Sequence, residues 1–280
     1  MGRPVSLRKH PSLLIGGVLT GGIAAVALVA LVWTPRSPTA MAVAERLQGP
    51  SARHLFGTDA FGRDVLSQLM VGASTSFAIA LAAIGLALAI GTVLGLWAAS
   101  RAGTLASTAV MRISDFAFAF PVVLTAMLVA AIREPGAMNV VLAVALFNVP
   151  VFVRLVRGAA LQVSALDFVA AARLAGLGEA RILFSEILPN LLGPIVVQAT
   201  IQFALAILAE AGLSYLGLGV RPPNPSWGRM LAEAQTYMGR QPGLAVFPGL
   251  AIAISVIGLN LLGDGLRDLL DPKRRPTPSG

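Results

Sequence analysis

The sequence predicts an all-α, polytopic membrane protein with six transmembrane helices. Three observations carry that expectation. Of 280 residues, 56% are hydrophobic and only 12% charged, about half the charge of an average soluble domain. The apolar residues fall in six charge-free stretches, 11–35, 65–100, 116–132, 135–153, 187–209 and 241–263, each near or above the roughly 20 residues a spanning helix requires. Alternation of polar and apolar residues over about 10 positions, the mark of a membrane β-strand, is missing, and lipid admits little besides helices and closed barrels.

The first span is expected at about 13–33. An outer loop follows from 34 to about 74. It starts Pro35-Arg36-Ser37-Pro38 and then turns amphipathic: Val65, Leu66, Leu69 and Met70 recur at helical spacing among Asp64, Ser67 and Gln68, which predicts a short helix lying on the membrane surface. The second span is expected at 77–99, where Gly72, Gly85, Gly91 and Gly95 suggest close helix contacts. A short inner loop holding Arg101 and Arg112 leads to a third span at 116–132, bent at Pro121. The turn Arg133-Glu134-Pro135-Gly136 returns the chain into a fourth span at 139–156. The fifth and sixth are expected at 191–213 and 244–262, separated by an outer loop containing Arg221-Pro-Pro-Asn-Pro-Ser-Trp227. Residues 1–75 form an N-terminal region, 76–270 the main transmembrane domain and 271–280 a tail.

Charge sets an orientation. With the N-terminus inside, thirteen of the 21 Lys and Arg residues lie on the cytoplasmic side, among them Arg3, Arg8, Lys9, Arg157, Arg173 and the Lys273-Arg274-Arg275 run. The positive-inside bias therefore expects both termini in the cytoplasm, in agreement with an even span count. The beginning, Arg8-Lys9-His10 followed by an apolar run and Ala40-Met41-Ala42, has the outline of a signal peptide, but its apolar part exceeds the roughly 7–15 residues of a signal core. The +8 net charge suits membrane orientation better than a nucleic-acid partner, because the cations are scattered and never interleave with aromatics.

Several chemistries are excluded by residue type. Without cysteine there is no disulfide framework, thiolate metal site or cysteine nucleophile. The only lysines, Lys9 and Lys273, follow Arg8 and Pro272, so no G-x-x-x-x-G-K-[ST] phosphate loop exists. His10 and His54 lack zinc-hydrolase spacing and read as interfacial or capping groups. No cofactor and no catalysis by this chain alone are expected. Ionisable residues near the spans are the default functional candidates: Asp115 opens the third span, Asp264 closes the sixth, and Glu210 lies far along the fifth, near the outer interface, as a possible pathway or interface residue. None sits at the membrane centre, where an ion-coupled carrier would usually keep an acid or an unwound helix.

The longest inner excursion, 158–189, is the most informative segment. Leu161, Leu166, Val169, Leu174, Leu177, Ile182 and Leu188 alternate there with Arg173, Glu179, Arg181 and Glu186, which predicts short helices. Gly176 supplies the left-handed residue that ends one of them, and Pro189 marks the return into the membrane. Such a hairpin can dock on a partner and pass rigid-body motion to the spans, or it can be an ordinary inter-span loop.

Asp167 opens this segment; Ala170-Ala171-Ala172, three residues, Gly176, nine residues and then Glu186-Ile187-Leu188-Pro189 follow. The pattern resembles the E-A-A-x3-G-x9-I-x-L-P signature of the inner-membrane permeases of bacterial ABC importers, with Ala170 where the signature has Glu and Glu186 where it has Ile. The segment Gly57-Thr58-Asp59-Ala-Phe-Gly62-Arg63-Asp64 is similar to the outer motif of the C-type permeases of dipeptide, oligopeptide and nickel importers. The stretches 209–219, 222–228 and 263–272 resemble the same subfamily. The resemblance implies a type I importer permease fold in the cytoplasmic membrane, with cytoplasmic coupling helices and an ATPase-coupling hinge at Asp167, Ala170, Ala171, Ala172, Gly176, Leu188 and Pro189. It also implies four kinds of partner: a homologous permease in a heterodimer, two ABC ATPase subunits, an extracytoplasmic solute-binding protein and membrane lipid. The expected cargo is a di- or oligopeptide, with nickel or glutathione as alternatives. A self-sufficient carrier or a membrane scaffold are the readings from other classes. Asp59, Arg63 and Asp64 are expected to pair with one another and fix the surface helix.

Overall fold

The computed structural model describes residues 11–270. The positive charges at Arg3, Arg8, Lys9 and 273–275, His10 and the 271–280 tail lie outside the described residues. Among the described residues there is no β-strand, only an isolated antiparallel bridge between Thr58 and Asp64.

Five helical stretches are long and apolar enough to cross a membrane: α1 (Pro11–Val29), α2 (Val65–Ser100), α5 (Ala137–Ser164), the continuous run Glu179–Tyr215, and α10 (Gly243–Leu270). Two further helices, α3 (Leu105–Ala119) and α4 (Val122–Ile132), meet the same test of length and composition only as a pair, and they join at 89°, as the halves of a broken span or of a re-entrant loop do. The remaining elements are α6 (Asp167–Leu174), the single turn α7 (Glu179–Arg181), a π-helical turn at Ile182–Ile187, α8 (Leu188–Tyr215), the short helix α9 (Trp227–Ala234) and two 3-10 turns, Val43–Glu45 and Gln235–Tyr237.

Two sequence expectations are corrected. Residues 65–70 are not a separate surface helix; they are the first turns of α2, which runs 36 residues without a break. Their polar face meets protein and not water: Asp64, Ser67 and Gln68 are buried, as are Val65 and Met70 on the other side, and amphipathic spacing alone does not distinguish these cases. The segment expected as a third span is likewise not one bent helix over 116–132. It begins at Leu105, so Arg112 lies inside α3 and not in a loop. Pro121 lacks an N–H and pushes the residue before it out of the helical region; Phe120 accordingly adopts φ −88°, ψ 122°, and the axis turns there.

The bundle is assembled on α2. Its inner half lies against α5 at a distance only glycine permits: a Cβ on Gly91 would stand 2.5 Å from Phe152 Cβ, and one on Gly95 would stand 2.8 Å from Val156 Cβ. Small residues at helix crossings let dispersion act over a larger area where no hydrophobic force separates helix from lipid. Gly72 meets the Trp227 ring, whereas Gly85 faces open space. The buried residues form two clusters. The larger fills the Asp64-capped end and the middle of the bundle, and a smaller one at the opposite end joins Leu96, Val156, Val169, Ile182, Ile187 and Leu191.

Candidate functional site: the inner hinge and the outer cap

The hinge is anchored at one side and bare on the other. Val169 of α6 is wholly buried in the inner cluster with Val156, Ile182 and Ile187. Ala172, about one turn on, and Leu177, past the end of the helix, pack against the same cluster. The opposite face presents Phe168, and Leu174 at the tip is 90% exposed. Asp167, Ala170, Ala171, Gly176 and Pro189 are exposed, while Ala172, Glu186 and Leu188 are half-buried.

Helix α6 stops in a Schellman motif. The Leu177 N–H donates to the Ala172 carbonyl at 3.2 Å and the Gly176 N–H to the Arg173 carbonyl at 3.0 Å. That pattern needs a left-handed residue between them, and Gly176 has φ +78°. Arg173 Nε bridges the turn to Glu179 Oε1 at 3.0 Å; both side chains are about half exposed, so this pair adds little stability and the packed Ala172–Leu177 side does more. Past the turn the chain winds as a π-helix over Ile182–Ile187 just before Pro189, the second residue of α8. A widened turn accommodates the carbonyls that a proline ring would otherwise strike.

The outer motif folds as a cap on α2. Asp64 is its N-cap: Oδ2 accepts from the Ser67 N–H at 2.9 Å and the Ser67 hydroxyl at 2.7 Å, while Oδ1 lies 2.9 Å from His54 Nδ1. Burial raises the Asp64 pKa, but the Ser67 hydroxyl, the His54 ring, the Ser67 N–H and the charge of His54 together outweigh it and hold the carboxyl below its ordinary value. His54 Nε2 faces Glu45 Oε2 at 3.3 Å, and Glu45 Oε1 in turn meets Arg53 at 2.6 Å. Asp59 Oδ1 accepts from the backbone of Phe61 and Arg63 at 2.9 Å each, and its Oδ2 accepts from Arg63 Nε at 2.5 Å and from Gln68 at 2.9 Å. Thr58 Oγ1 accepts from the Gln48 N–H at 2.9 Å, and Gly57 and Gly62 make the turns on either side with φ near +75°.

Arg63 and Asp59 therefore pair as the residue pattern suggests, but Asp64 does not join them; it turns to His54 because its helix-capping geometry points the other way. Arg63 instead reaches Glu233 of α9 at 2.6 Å, a partner that spacing cannot reveal at a separation of 170 residues. Asp115 pairs with Arg154 at 2.6 Å, with both side chains partly exposed, and Asp264 is exposed on α10. Glu210 does not line an open surface of this chain. It is fully buried on α8, accepting from the hydroxyls of Ser76 and Ser214 at 2.7 Å each.

The structure is thus a multi-helix bundle with an anchored helical knuckle at one end and a polar cap at the other. Residues 91–276 match the family described as binding-protein-dependent transport system inner membrane component. The chain is 41% identical over 269 residues to the dipeptide transport system permease protein DppC of Alkalihalophilus pseudofirmus, covering 96% of this chain and 88% of that one. It is 46% identical over 226 residues to the glutathione transport system permease protein GsiD of Pectobacterium atrosepticum, covering 81% and 75%. In fold it resembles a chain of the MetNI methionine ABC transporter solved in inward-facing conformations, with a TM-score of 0.61 at 18% identity over 73% of this chain and 96% of that one. The protein belongs to the binding-protein-dependent transport system inner membrane component family, and it is a multi-pass inner-membrane permease of an ABC importer. ATPase and binding-protein partners follow from that membership.

Proposed function

We propose that this chain is the non-catalytic pore subunit of an ATP-driven importer of di- or oligopeptides, paired with a homologous permease, with both termini and the 158–189 hinge in the cytoplasm. The observation that carries the reading is the construction of α6. Val169 is locked into the bundle while Leu174, five residues away, stands almost wholly in solvent. A load applied at the tip passes through Val169 to α5 and through the π-turn to α8, so closure of two ATPases against paired hinges switches the spans between inward- and outward-facing packings. Nucleotide biases such a switch only by binding the two states unequally. The relatives named for dipeptide and glutathione transport support a peptide-like cargo, since glutathione is itself a small peptide.

The absence of cysteine makes the topology directly testable. Leu174→Cys, in cells expressing the complete importer, is expected to resist a membrane-impermeant maleimide until the membrane is opened, and the purified complex to contain two nucleotide-binding chains and to take up labelled dipeptide only with ATP. Labelling of intact cells, or solute accumulation by the lone purified chain, would overturn the reading. Competition by glutathione at equal concentration would shift the cargo to that alternative.

A further inference from the structure

Glu210 is the most deeply buried acid among the described residues, with no exposed surface at all. A buried carboxyl is costly unless its hydrogen bonds are met, and here serine hydroxyls on α2 and α8 meet them, with a third serine facing the group from the start of α9. Ser76 of α2 donates to Oε2 and Ser214 of α8 to Oε1, each at 2.7 Å, and the hydroxyl of Ser226, the N-cap of α9, faces the same carboxyl.

Each serine oxygen also receives a backbone N–H. Ser214 Oγ accepts from Val220 at 3.3 Å, Ser76 Oγ from Trp227 at 3.4 Å and Ser226 Oγ from Arg229 at 3.3 Å. Val220 and Trp227 bracket residues 221–226 of the loop between α8 and α9, so one carboxyl holds the chain on both sides of that stretch. The ends are also pressed inward. A Cβ on Gly219 would collide with the Ser214 side chain, and one on Gly228 would stand 2.5 Å from Ala211 Cα. The Trp227 indole donates to the Leu69 carbonyl at 3.0 Å. Between these clamps Arg221, Pro222, Pro223 and Asn224 are exposed, and Arg221 reaches Glu134, in the turn between α4 and α5, at 2.6 Å.

A hydrophobic side chain at 210 would serve packing as well as or better than a buried acid. It would leave the three hydroxyls, and through them both loop ends, without a common centre. We propose that Glu210 is a positioning residue: through Ser76, Ser214 and Ser226 it fixes the 221–224 tip as a preorganised contact for the extracytoplasmic binding protein that delivers the cargo. The tip lies beyond the end of α8 opposite the hinge, and α8 itself is 28 residues long, about 42 Å along a helix. Two adjacent prolines lose little freedom on docking, which is where preorganisation gains affinity. The proposal rests on the importer reading above.

The test is stimulation of ATP hydrolysis by loaded binding protein in the reconstituted importer, titrated to saturation. Glu210→Ala is expected to raise the half-saturating concentration of binding protein about tenfold, a loss of preorganisation worth one decade, with a maximal rate within about threefold of wild type. Glu210→Gln, which keeps an acceptor for the serines, is expected to recover most of the shift, and Asn224→Ala at the exposed tip to weaken half-saturation alone. Should Glu210→Ala not assemble, Ser214→Ala, which cuts only the tether to Val220, decides between a raised and an unchanged half-saturation. An unchanged value, or a fall in maximal rate with no shift, would overturn the proposal. A wild-type complex that binding protein does not stimulate would instead overturn the importer reading itself.

Discussion

Arg63 and Glu233 stand 170 residues apart in sequence and 2.6 Å apart in space. The same guanidinium holds Asp59 at 2.5 Å, and the same carboxylate holds Arg229 at 2.6 Å. Four charges thus form one chain that joins the outer segment before α2 to the helix after α8. Arg63 is 4% exposed and Glu233 28%, so the link is desolvated at one end and wet at the other.

Arg63→Ala strands Asp59 inside the cap. Removing one partner of a buried pair costs about 3–5 kcal/mol, and the exposure of Glu233 places this case near the lower value. Thermal melting of the purified protein should fall by several degrees, and the double variant with Glu233→Ala should be less destabilised than the two single losses combined. Simple additivity would show that the two side chains are not coupled.

Acid should loosen the cap through Asp64. Its folded pKa lies below 3.8, the ordinary value, so the stability it contributes is fully present above that value and is lost as pH falls through the folded pKa. Melting temperature measured from pH 6 downward should drop less steeply for Asp64→Asn than for wild type. Parallel profiles would remove Asp64 from the acid response.

The α2–α5 contact predicts opposite outcomes for two glycines on one helix. Gly91→Ala forces its methyl against Phe152 and should cost about 1–3 kcal/mol by overpacking. Gly85→Ala meets nothing within 4 Å and should be neutral or stabilise by up to about 1 kcal/mol through helix propensity. Comparison of detergent-resistance midpoints checks both, and equal behaviour would contradict the packing.

At Gly176 the constraint is backbone alone. A Cβ there has no neighbour within 4 Å, but φ is +78°, which costs an L-residue about 1–2 kcal/mol and is tolerated best by Asn. Gly176→Val should lower ATP-dependent uptake while the ATPases still turn over, and Gly176→Asn should keep most of the transport. Equal uptake by both variants would count against force passing through this turn.

Much of the fold was legible because lipid leaves the chain few options. Five of the six apolar blocks lie in helices long enough to cross, Gly176 announces its own left-handed turn, and Pro121 marks the break between α3 and α4. The misreadings share one cause. At 65–70 and at Glu210, polar side chains were assigned to water or to the interface because sequence shows polarity and not its partner. Gln68 faces Asp59, and Glu210 faces serines that lie up to 134 residues away. The only hint was serine recurring inside or beside apolar runs at 76, 214 and 226, which without coordinates reads as ordinary membrane-helix composition. Glu233 gave no hint at all.

Helix α2 contains no proline and runs 36 residues, about 54 Å at 1.5 Å per residue, against a hydrocarbon layer of about 30 Å. Its lower half is clenched to α5, and its top carries the Asp64 cap and the Ser76 contact. Treated as a stiff lever, a tilt of about 5° imposed below displaces the upper end about 5 Å sideways. The length of this one helix therefore turns a small nudge at the α5-bound end into a displacement as wide as an amino-acid side chain at the capped end.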